Sequence, residues 1–257
     1  AKQLPETAGH CALSMEIKMD TRETALLLFV EMEKTKNFGS SLIRDTLNKY
    51  DYEDPREKAF LKRLAEGTLE SLLTLDYVIN AYSKTPTNKM KPLIRSLLRL
   101  SVYQILYMDT VPDSAACNEA VRLAKKKGFE RLSGFVNGVL RTITRNKEEI
   151  LNSESAFWQE LQKNPVQALS VHYSVPKWMI SLWEAQYGEE KTEHMLEGLK
   201  NGRPLTIRLD SRLTEEEKTQ EIAAIEAAGV TVQKHRLYAD AWNLEGCEGI
   251  GHLPGFA

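Results

Sequence analysis

The sequence predicts a mainly α protein, an all-α helical bundle followed by a small α+β domain, and three stretches carry that prediction. From Pro92 to Met108 the apolar residues Leu93, Ile94, Leu97, Leu98, Leu100, Val102, Ile105, Leu106 and Met108 run nearly all the way round a helical projection, which belongs to a helix buried at the centre of a bundle. From Pro112 to Arg145 two amphipathic segments are separated by three lysines and a glycine, the pattern of a helical hairpin. From Leu205 the period changes to two, with Leu205, Ile207 and Leu209 alternating with Thr206 and Arg208, as in a half-buried strand.

The elements follow in order. Asp20 with Glu23, and Asp54 with Pro55 and Glu57, are N-terminal capping arrangements, the second with proline at the first helical position, so a helix is expected to begin at each. Between them Asn37 to Ser40 makes a turn, and Leu42, Ile43 and Leu47 mark a short amphipathic helix. Arg95 and Arg99 interrupt the central helix one turn apart; a buried arginine needs a partner, and acids such as Glu66 or Glu119 are expected to supply it, direct RNA contact being the other use for the pair. In the hairpin, Asp113 after Pro112 reads as an N-cap, and Ala116, Ala120, Val121 and Ala124 share a face. That helix stops at Lys125, Lys126, Lys127 and Gly128, where cations suit the negative end of the macrodipole. In the second hairpin helix Phe135, Val136, Val139, Leu140 and Ile143 make one apolar face. Gly134, Gly138, Arg141 and Arg145 fall within roughly 60° of one another on the opposite side, at about 100° per residue.

Further on, Trp158, Trp178 and Trp183 sit on helices between about Ala156 and Tyr187, where indoles are expected in core or interdomain packing. Thr214 with Glu217 forms a capping box, the helix after it ends at Gly229, and Val230 to Gln233 reads as a second strand. This strand-helix-strand unit makes the second domain α+β.

Composition narrows the function. Of the 257 residues, 42% are hydrophobic and 27% charged, ordinary values for a globular chain. The net charge of −2 conceals a polarity: residues 1 to 83 hold 11 basic and 14 acidic side chains (−3), 84 to 147 hold 13 and 4 (+9), and 148 to 257 hold 10 and 18 (−8). A polyanion lands where the local field is positive, so RNA is expected to meet the middle block first. Cys11, Cys117 and Cys247 show no CxxC spacing, which speaks against a zinc site or a disulfide framework and for a reduced, cytoplasmic setting; His10 beside Cys11 is incidental. The opening AKQLPETAGHCALSMEIKM has no basic start followed by a long apolar core, and nowhere do about 18 apolar residues run together, so neither secretion nor membrane insertion is expected.

The hairpin is the most informative segment for function. Two glycines on one helix face admit a close backbone approach, and two arginines beyond them present planar forks suited to phosphate. A glycine inside a helix costs about 0.5 to 1 kcal/mol relative to alanine, so two of them point to a packing or ligand requirement. Another helix lying on that face would satisfy the same pattern, and the lysine run could be a solvated helix end. In the second domain Arg203, Arg208 and Arg212 could line an RNA path on the strand's polar face, kept narrow by the acidity around it. The glycines of GCEGIG, from Gly246 to Gly251, do not fit a nucleotide loop, since their order is wrong for GxGxxG and Pro254 follows instead of a helix.

Several segments carry a resemblance. TRETALLLF from Thr21, IRSLLRLSVYQILYMDTVPDSA from Ile94, CNEAVRLAKKKGF from Cys117 and GFVNGVLRTI from Gly134 resemble the NusB-like domain of antitermination factors. They are closer still to the N-terminal half of the bacterial 16S rRNA cytosine-C5 methyltransferases of the RsmB/Sun/Fmu family. HYSVPKWMISLWEAQYG, GRPLTIRLDSR and the final LPGF are similar to the connecting region ahead of that family's methyltransferase domain, where an RRM-like insert sits. The resemblance runs from Asp20 to Ala257 and implies four parts: a disordered or appended tail (1–19), an RNA-binding NusB-like domain (20–147), a helical connector (148–175) and a small α+β domain (176–257), cut before the methyltransferase domain that packs against it.

It further implies that the intact protein methylates 16S rRNA with S-adenosylmethionine, while this chain holds no cofactor and no metal and transfers nothing. The family's catalytic cysteines follow proline or threonine, whereas Cys117 follows Ala116 and Cys247 follows Gly246, so no catalytic residue carries over. The residues expected to hold RNA are Lys125, Lys126, Lys127, Gly134, Asn137, Gly138, Arg141, Arg145 and Arg208. Two other classes remain compatible with these residues: a stand-alone NusB-like antitermination RNA-binding factor, and a helical protein-interaction module that docks a partner helix on the Gly134 and Gly138 face.

Overall fold

The computed structural model describes residues 20–36, 39–49, 54–200, 204–247 and 253–254. The described chain forms two compact units, one ending at Thr192 and the other beginning at Glu193. The expected tail at 1–19, the start of the turn at Asn37 and Arg203 lie outside the described residues.

The first unit is entirely helical. Its order is α1 (Thr21–Thr35), α2 (Ser40–Lys49), α3 (Pro55–Glu70), α4 (Leu72–Tyr82), α5 (Pro92–Tyr107), α6 (Asp113–Lys126), α7 (Glu130–Arg145), α8 (Lys147–Leu151), α9 (Ala156–Gln162), α10 (Pro165–Tyr173) and α11 (Lys177–Tyr187), then the start of α12 (Glu189–Lys200). The expected caps form: the Asp20 carboxylate accepts the Arg22 N–H at 2.9 Å and the Asp54 carboxylate the Arg56 N–H at 2.8 Å, relieving N–H groups that a helix start leaves without partners. α5 is the axial helix and packs on α1, α3, α4, α6 and α7. Leu98, Val102 and Ile105 on it are fully buried, each such side chain contributing about 1.5–3 kcal/mol of hydrophobic free energy.

Arg95 and Arg99 are indeed paired, but with Glu33 on α1 and Asp76 on α4, not with Glu66 or Glu119. Arg95 Nε donates to Glu33 at 2.9 Å, and Arg99 bridges Glu33 at 3.0 Å and Asp76 at 2.6 Å. Periodicity shows that two arginines share a face of α5; which helices cross that face is a tertiary matter that spacing does not encode. Bonding to Glu33 outweighs burial and raises the Arg95 guanidinium above its ordinary pKa.

α8 and α9 close over the bundle. The Trp158 indole stacks on Tyr77 with centroids 5.4 Å apart and its Nε1–H donates to the Ile150 carbonyl at 3.0 Å, the packing role expected of it. α10 is pinned to α4, the Leu73 N–H donating to the Ser174 hydroxyl at 3.0 Å and the Thr74 hydroxyl to the Val171 carbonyl at 2.5 Å. Trp183 is half-buried and Trp178 is 67% exposed, so core packing does not account for Trp178 within this chain.

The second unit is the α+β domain, with β1 (Leu205–Arg208), α13 (Glu215–Ala227), β2 (Thr231–Lys234) and β3 (Ala241–Glu245). The Thr214 capping box is formed, and Gly229 turns the chain at φ +86° beyond the end of α13. β2 starts one residue later than expected. β3 is absent from the sequence-based expectation, although it is the central strand, paired antiparallel with both others in the order β1-β3-β2. β1 and β2 are therefore mutually parallel, joined through α13 with a strand between them, the split strand-helix-strand arrangement of ferredoxin-like folds. Ile207, Ile225, Val230, Leu244 and Leu253 form its core.

Candidate nucleic-acid interface

The α6–α7 hairpin is closed by backbone chemistry. The Phe129 N–H donates to the Ala124 carbonyl at 2.8 Å and the Gly128 N–H to the Lys125 carbonyl at 3.0 Å, with Gly128 at φ +80°. This paired closure needs a left-handed residue, which glycine adopts without a Cβ penalty. At the other end the N-cap of α6 is Pro112, and Asp113 is its first helical residue; the Asp113 carboxylate turns to Lys147 Nζ at 3.2 Å instead of capping. Proline's fixed φ suits the chain entry but supplies no side-chain acceptor.

The inner faces pack as the spacing predicts. Ala116, Ala120 and Ala124 are buried with Val136, Val139, Leu140 and Ile143, while Val121 is only half-buried and Leu123 fills the inner position next to Ala124. The outer face of α7 is open. Gly134, Gly138, Arg141 and Arg145 line it, and a Cβ at either glycine would have nothing within 4 Å. No helix among the described residues lies on the glycines.

Arg141 Nε donates to the Asn137 Oδ1 one turn earlier at 3.1 Å, which steadies the guanidinium and leaves its other N–H groups outward; Arg145 has no partner among the described residues. The two arginines form one wall of a groove of about 350 Å³ whose other wall is Asp113, Ser114, Cys117 and Asn118 on α6, with Thr144 between them; the Asp113 carboxylate is the one acid in the lining and is paired with Lys147. The groove therefore meets the first turn of α6, where the helix dipole is positive. Burial pushes the Cys117 thiol up, an effect that its contact with Thr144 opposes, so this sulfur is a poor source of thiolate.

The lysines lie elsewhere. α7 has 16 residues, about 24 Å of helix, so Lys125, Lys126 and Lys127 stand at the far end of the hairpin from Arg145. Lys126 and Lys127 both bind the Glu23 carboxylate, at 2.5 and 2.7 Å, and tie the end of α6 to the start of α1. Burial raises the Glu23 pKa, but the two lysine bonds outweigh it and hold the carboxyl below its ordinary range. Lys125 is exposed without a partner among the described residues. Arg208 is exposed at the end of β1 in the second unit, and Arg212 is held by Asp210 at 2.5 Å. Within the first unit the expected set thus falls into two groups, the lysines at one end of the hairpin and the continuous surface of Gly134, Asn137, Gly138, Arg141 and Arg145; Arg208 belongs to the second unit.

Two features escaped the sequence. Ser114, Asn118 and Thr144 on the groove walls carry no charge or glycine signal. A cleft of about 420 Å³ between α2 and α3 gathers Arg44, Lys58 and Lys62, none with a partner among the described residues. The net charge of −3 for residues 1 to 83 concealed it.

An adenosine-bearing cofactor is commonly held at a glycine-rich strand-to-helix turn, and the described residues offer no such turn. The helix after β1 is closed by its own capping box, the Glu217 N–H donating to Thr214 Oγ1 at 3.3 Å and the Thr214 N–H to Glu217 at 2.8 Å. Most of the GCEGIG segment lies outside the described residues. Among the described residues no three His, Cys, Asp or Glu side chains could hold a metal ion, and no helix is long and apolar enough to cross a membrane.

Comparison with known proteins agrees with both units. Residues 19–145 match the NusB family, and residues 175–248 match the ferredoxin-like domain described as Methyltr_RsmF/B-like. A probable ribosomal RNA small subunit methyltransferase B from Bacillus subtilis is 31% identical over 227 residues, 88% of this chain and 48% of that protein. One of the same name from Synechocystis sp. is 30% identical over 244 residues, 93% of this chain and 51% of that protein. The solved structure of PH0851 superposes with a TM-score of 0.54 at 16% identity, covering 91% of this chain and 50% of that one, a likeness of fold. The chain spans about half the length of the curated relatives it matches. With its helical bundle, its split three-stranded sheet and these matches, the chain is a NusB-family domain joined to an RsmF/B-type ferredoxin-like domain, homologous over about nine-tenths of its length to small-subunit ribosomal RNA methyltransferase B proteins.

Proposed function

We propose that this chain is the RNA-binding part of a cytoplasmic, S-adenosylmethionine-dependent 16S rRNA cytosine-C5 methyltransferase, and that it holds small-subunit rRNA for a methyltransferase domain packed against it. The parts of that protein are then the NusB-like domain at 20–147, a connector at 148–175 and the small domain at 176–257. The names of the relatives support the reaction class. The observation that carries the RNA assignment is the uncovered glycine and arginine face of α7. A phosphate backbone can approach Gly134 and Gly138 closely, Arg141 and Arg145 can each take a phosphate through paired N–H groups, and the first turn of α6 adds a positive dipole end. Chemistry is left to the further domain, which supplies the cofactor and the nucleophile.

Arginine-to-phosphate bonds of this kind position RNA without reading its sequence, so their signature is electrostatic. Replacing Arg141 and Arg145 together with glutamate is expected to weaken binding of a small-subunit rRNA fragment and to reduce the slope of log affinity against log salt by roughly 1.4 to 1.8, at about 0.7 to 0.9 for each phosphate no longer neutralised. An unchanged affinity and slope in the folded double variant would rule out this face as the RNA site.

A further inference from the structure

RNA-binding sheets of the ferredoxin-like type commonly stack bases on aromatic residues of the open face. Here that face is polar. Thr206, Asn243 and Gln233 form one row across it, with the Thr206 hydroxyl donating to Asn243 at 2.9 Å, while Leu205, Ile207 and Leu244 point to the core. An aromatic platform is instead found where the sheet ends. The hairpin joining β2 to β3 presents Leu237 and Tyr238 at 72% and 67% exposure, far above what a tyrosine needs to wet its hydroxyl.

The hairpin is ordered by its own bonds. The His235 N–H donates to the Ala241 carbonyl at 2.9 Å, the Leu237 N–H donates to His235 Nδ1 at 3.1 Å, and the Tyr238 ring lies against the imidazole with centroids 5.3 Å apart. The imidazole thus sits beside the tyrosine at an interplanar angle of 36°, a contact that restrains the ring while leaving it exposed.

Strand register brings cations to the same end. Arg208 pairs with Ala241, the first residue of β3, and shares the open face with Thr206 two residues earlier. Arg208, Ala241 and His235 therefore make the last row of the sheet, directly under the hairpin. Lys234 and Arg236 flank His235. None of the three cations makes a salt bridge among the described residues, although Arg208 acts on both Asp210 and Asp240 and Lys234 on Asp240; the direct bonds of these two acids go to Arg212 and, at 2.9 Å, to Lys218. From Glu193 to the end the chain carries 7 basic and 11 acidic side chains, a net −4, so this end is a local positive field on an acidic unit. Exposed tyrosine and leucine alone would suit a protein partner; with Arg208 on the open face at this end and Arg236 in the hairpin itself they suit a polyanion that has flat faces.

We propose that the β2–β3 hairpin end of the ferredoxin-like unit binds single-stranded RNA, with an unpaired base stacked on Tyr238 and its flanking phosphates against Arg208 and Arg236. The site extends the RNA-binding reading above and depends on it. Its role is to hold a nucleotide already out of its helix, since stacking on one ring is indifferent to base identity and open only to an unpaired base.

The test uses the whole chain and a single-stranded RNA of about 12 nucleotides with 2-aminopurine near its middle, a length that can cover one such site. Tyr238→Ala is expected to weaken binding roughly 5- to 100-fold, the range for removal of one aromatic stack, and to restore the probe's fluorescence without altering the salt slope. Tyr238→Phe retains both affinity and quenching. Arg208→Glu with Arg236→Glu instead lowers the salt slope by about 1.4, at about 0.7 per phosphate on a single strand. Unchanged affinity and quenching in Tyr238→Ala, in a protein whose wild type binds the probe and whose Arg141 and Arg145 variant does not, overturns the hairpin site and leaves the α7 reading standing. Failure of the wild-type chain to bind any RNA in a salt-dependent way overturns both.

Discussion

Glu23 does more in the fold than its place in the sequence suggests. As the fourth residue of a capping arrangement it reads as a helix-start acid, yet it is buried and its partners are two lysines about a hundred positions away. Its carboxyl titrates below the ordinary value of 4.5 in the folded chain, so as pH falls the unfolded chain takes up the proton first. The pair's stabilisation is therefore complete at neutral pH and is lost as pH drops below about 4.5 and through the lower folded value. Glu23→Gln is expected to lower the unfolding temperature at pH 7 while narrowing its gap to wild type near pH 3; thermal unfolding across that range checks this, and two parallel curves would contradict it. The same pair shows what residue-level reading misses. Lys126 and Lys127 look free in a lysine run, and only the fold reveals that α1 supplies a buried anion beneath them.

At the scale of elements, two kinds of glycine separate. Gly67 on α3 lies at the crossing with α5, where an added Cβ would sit 1.9 Å from the Tyr103 hydroxyl. Gly67→Ala gains about 1 kcal/mol of helix propensity but overpacks the crossing at a cost of typically about 1–3 kcal/mol, with a rigid ring as the obstacle. The expected outcome is a lower unfolding temperature, by a few degrees for each kcal/mol in a unit of this size, partly restored when Tyr103 is also replaced by leucine. Gly138→Ala is expected to do the opposite, because nothing lies within 4 Å and only the propensity gain remains. Differential scanning calorimetry of the two variants compares them directly; stabilisation of both would deny the tight crossing.

Elements with a strong local signal were legible: the all-round apolar run of α5, the Asp20 and Asp54 caps, the Thr214 capping box and the glycine stop of α6. β3 was not, because AWNLE is only five residues long, holds no β-branched side chain and follows a hairpin of six residues without a glycine. Its place as the central strand comes from pairing on both sides, which no local pattern records. The partners of Arg95 and Arg99 were hidden for the same reason, being set by helix crossings.

At the scale of the whole molecule, the charge polarity of the sequence picks out the block that holds the α6–α7 hairpin but not how the fold groups its cations. The +9 block includes Arg95, Arg99, Arg122, Lys126, Lys127 and Lys147, all of which the fold commits to acids, so six of its 13 cations are spent on ion pairs and the other seven lie at the surface. The α7 face stands out because it combines uncommitted arginines with missing side chains. Its glycines are also its most specific feature, since arginines alone would attract RNA from any direction, whereas bare backbone matters only to a ligand that touches it.

The most direct measurement therefore fills that face without altering its charge: RNA affinity of a Gly134→Leu, Gly138→Leu double variant, with its unfolding temperature recorded alongside. A Cβ at either position meets nothing within 4 Å and both residues lie on the exposed face of α7, so the gain in helix propensity is expected to keep the fold at least as stable as wild type. Affinity for a small-subunit rRNA fragment is expected to fall roughly tenfold or more, as the RNA backbone is held away from Arg141 and Arg145 and their phosphates are no longer neutralised. A folded double variant that binds RNA as tightly as wild type, with the same salt dependence, would contradict the account at its centre.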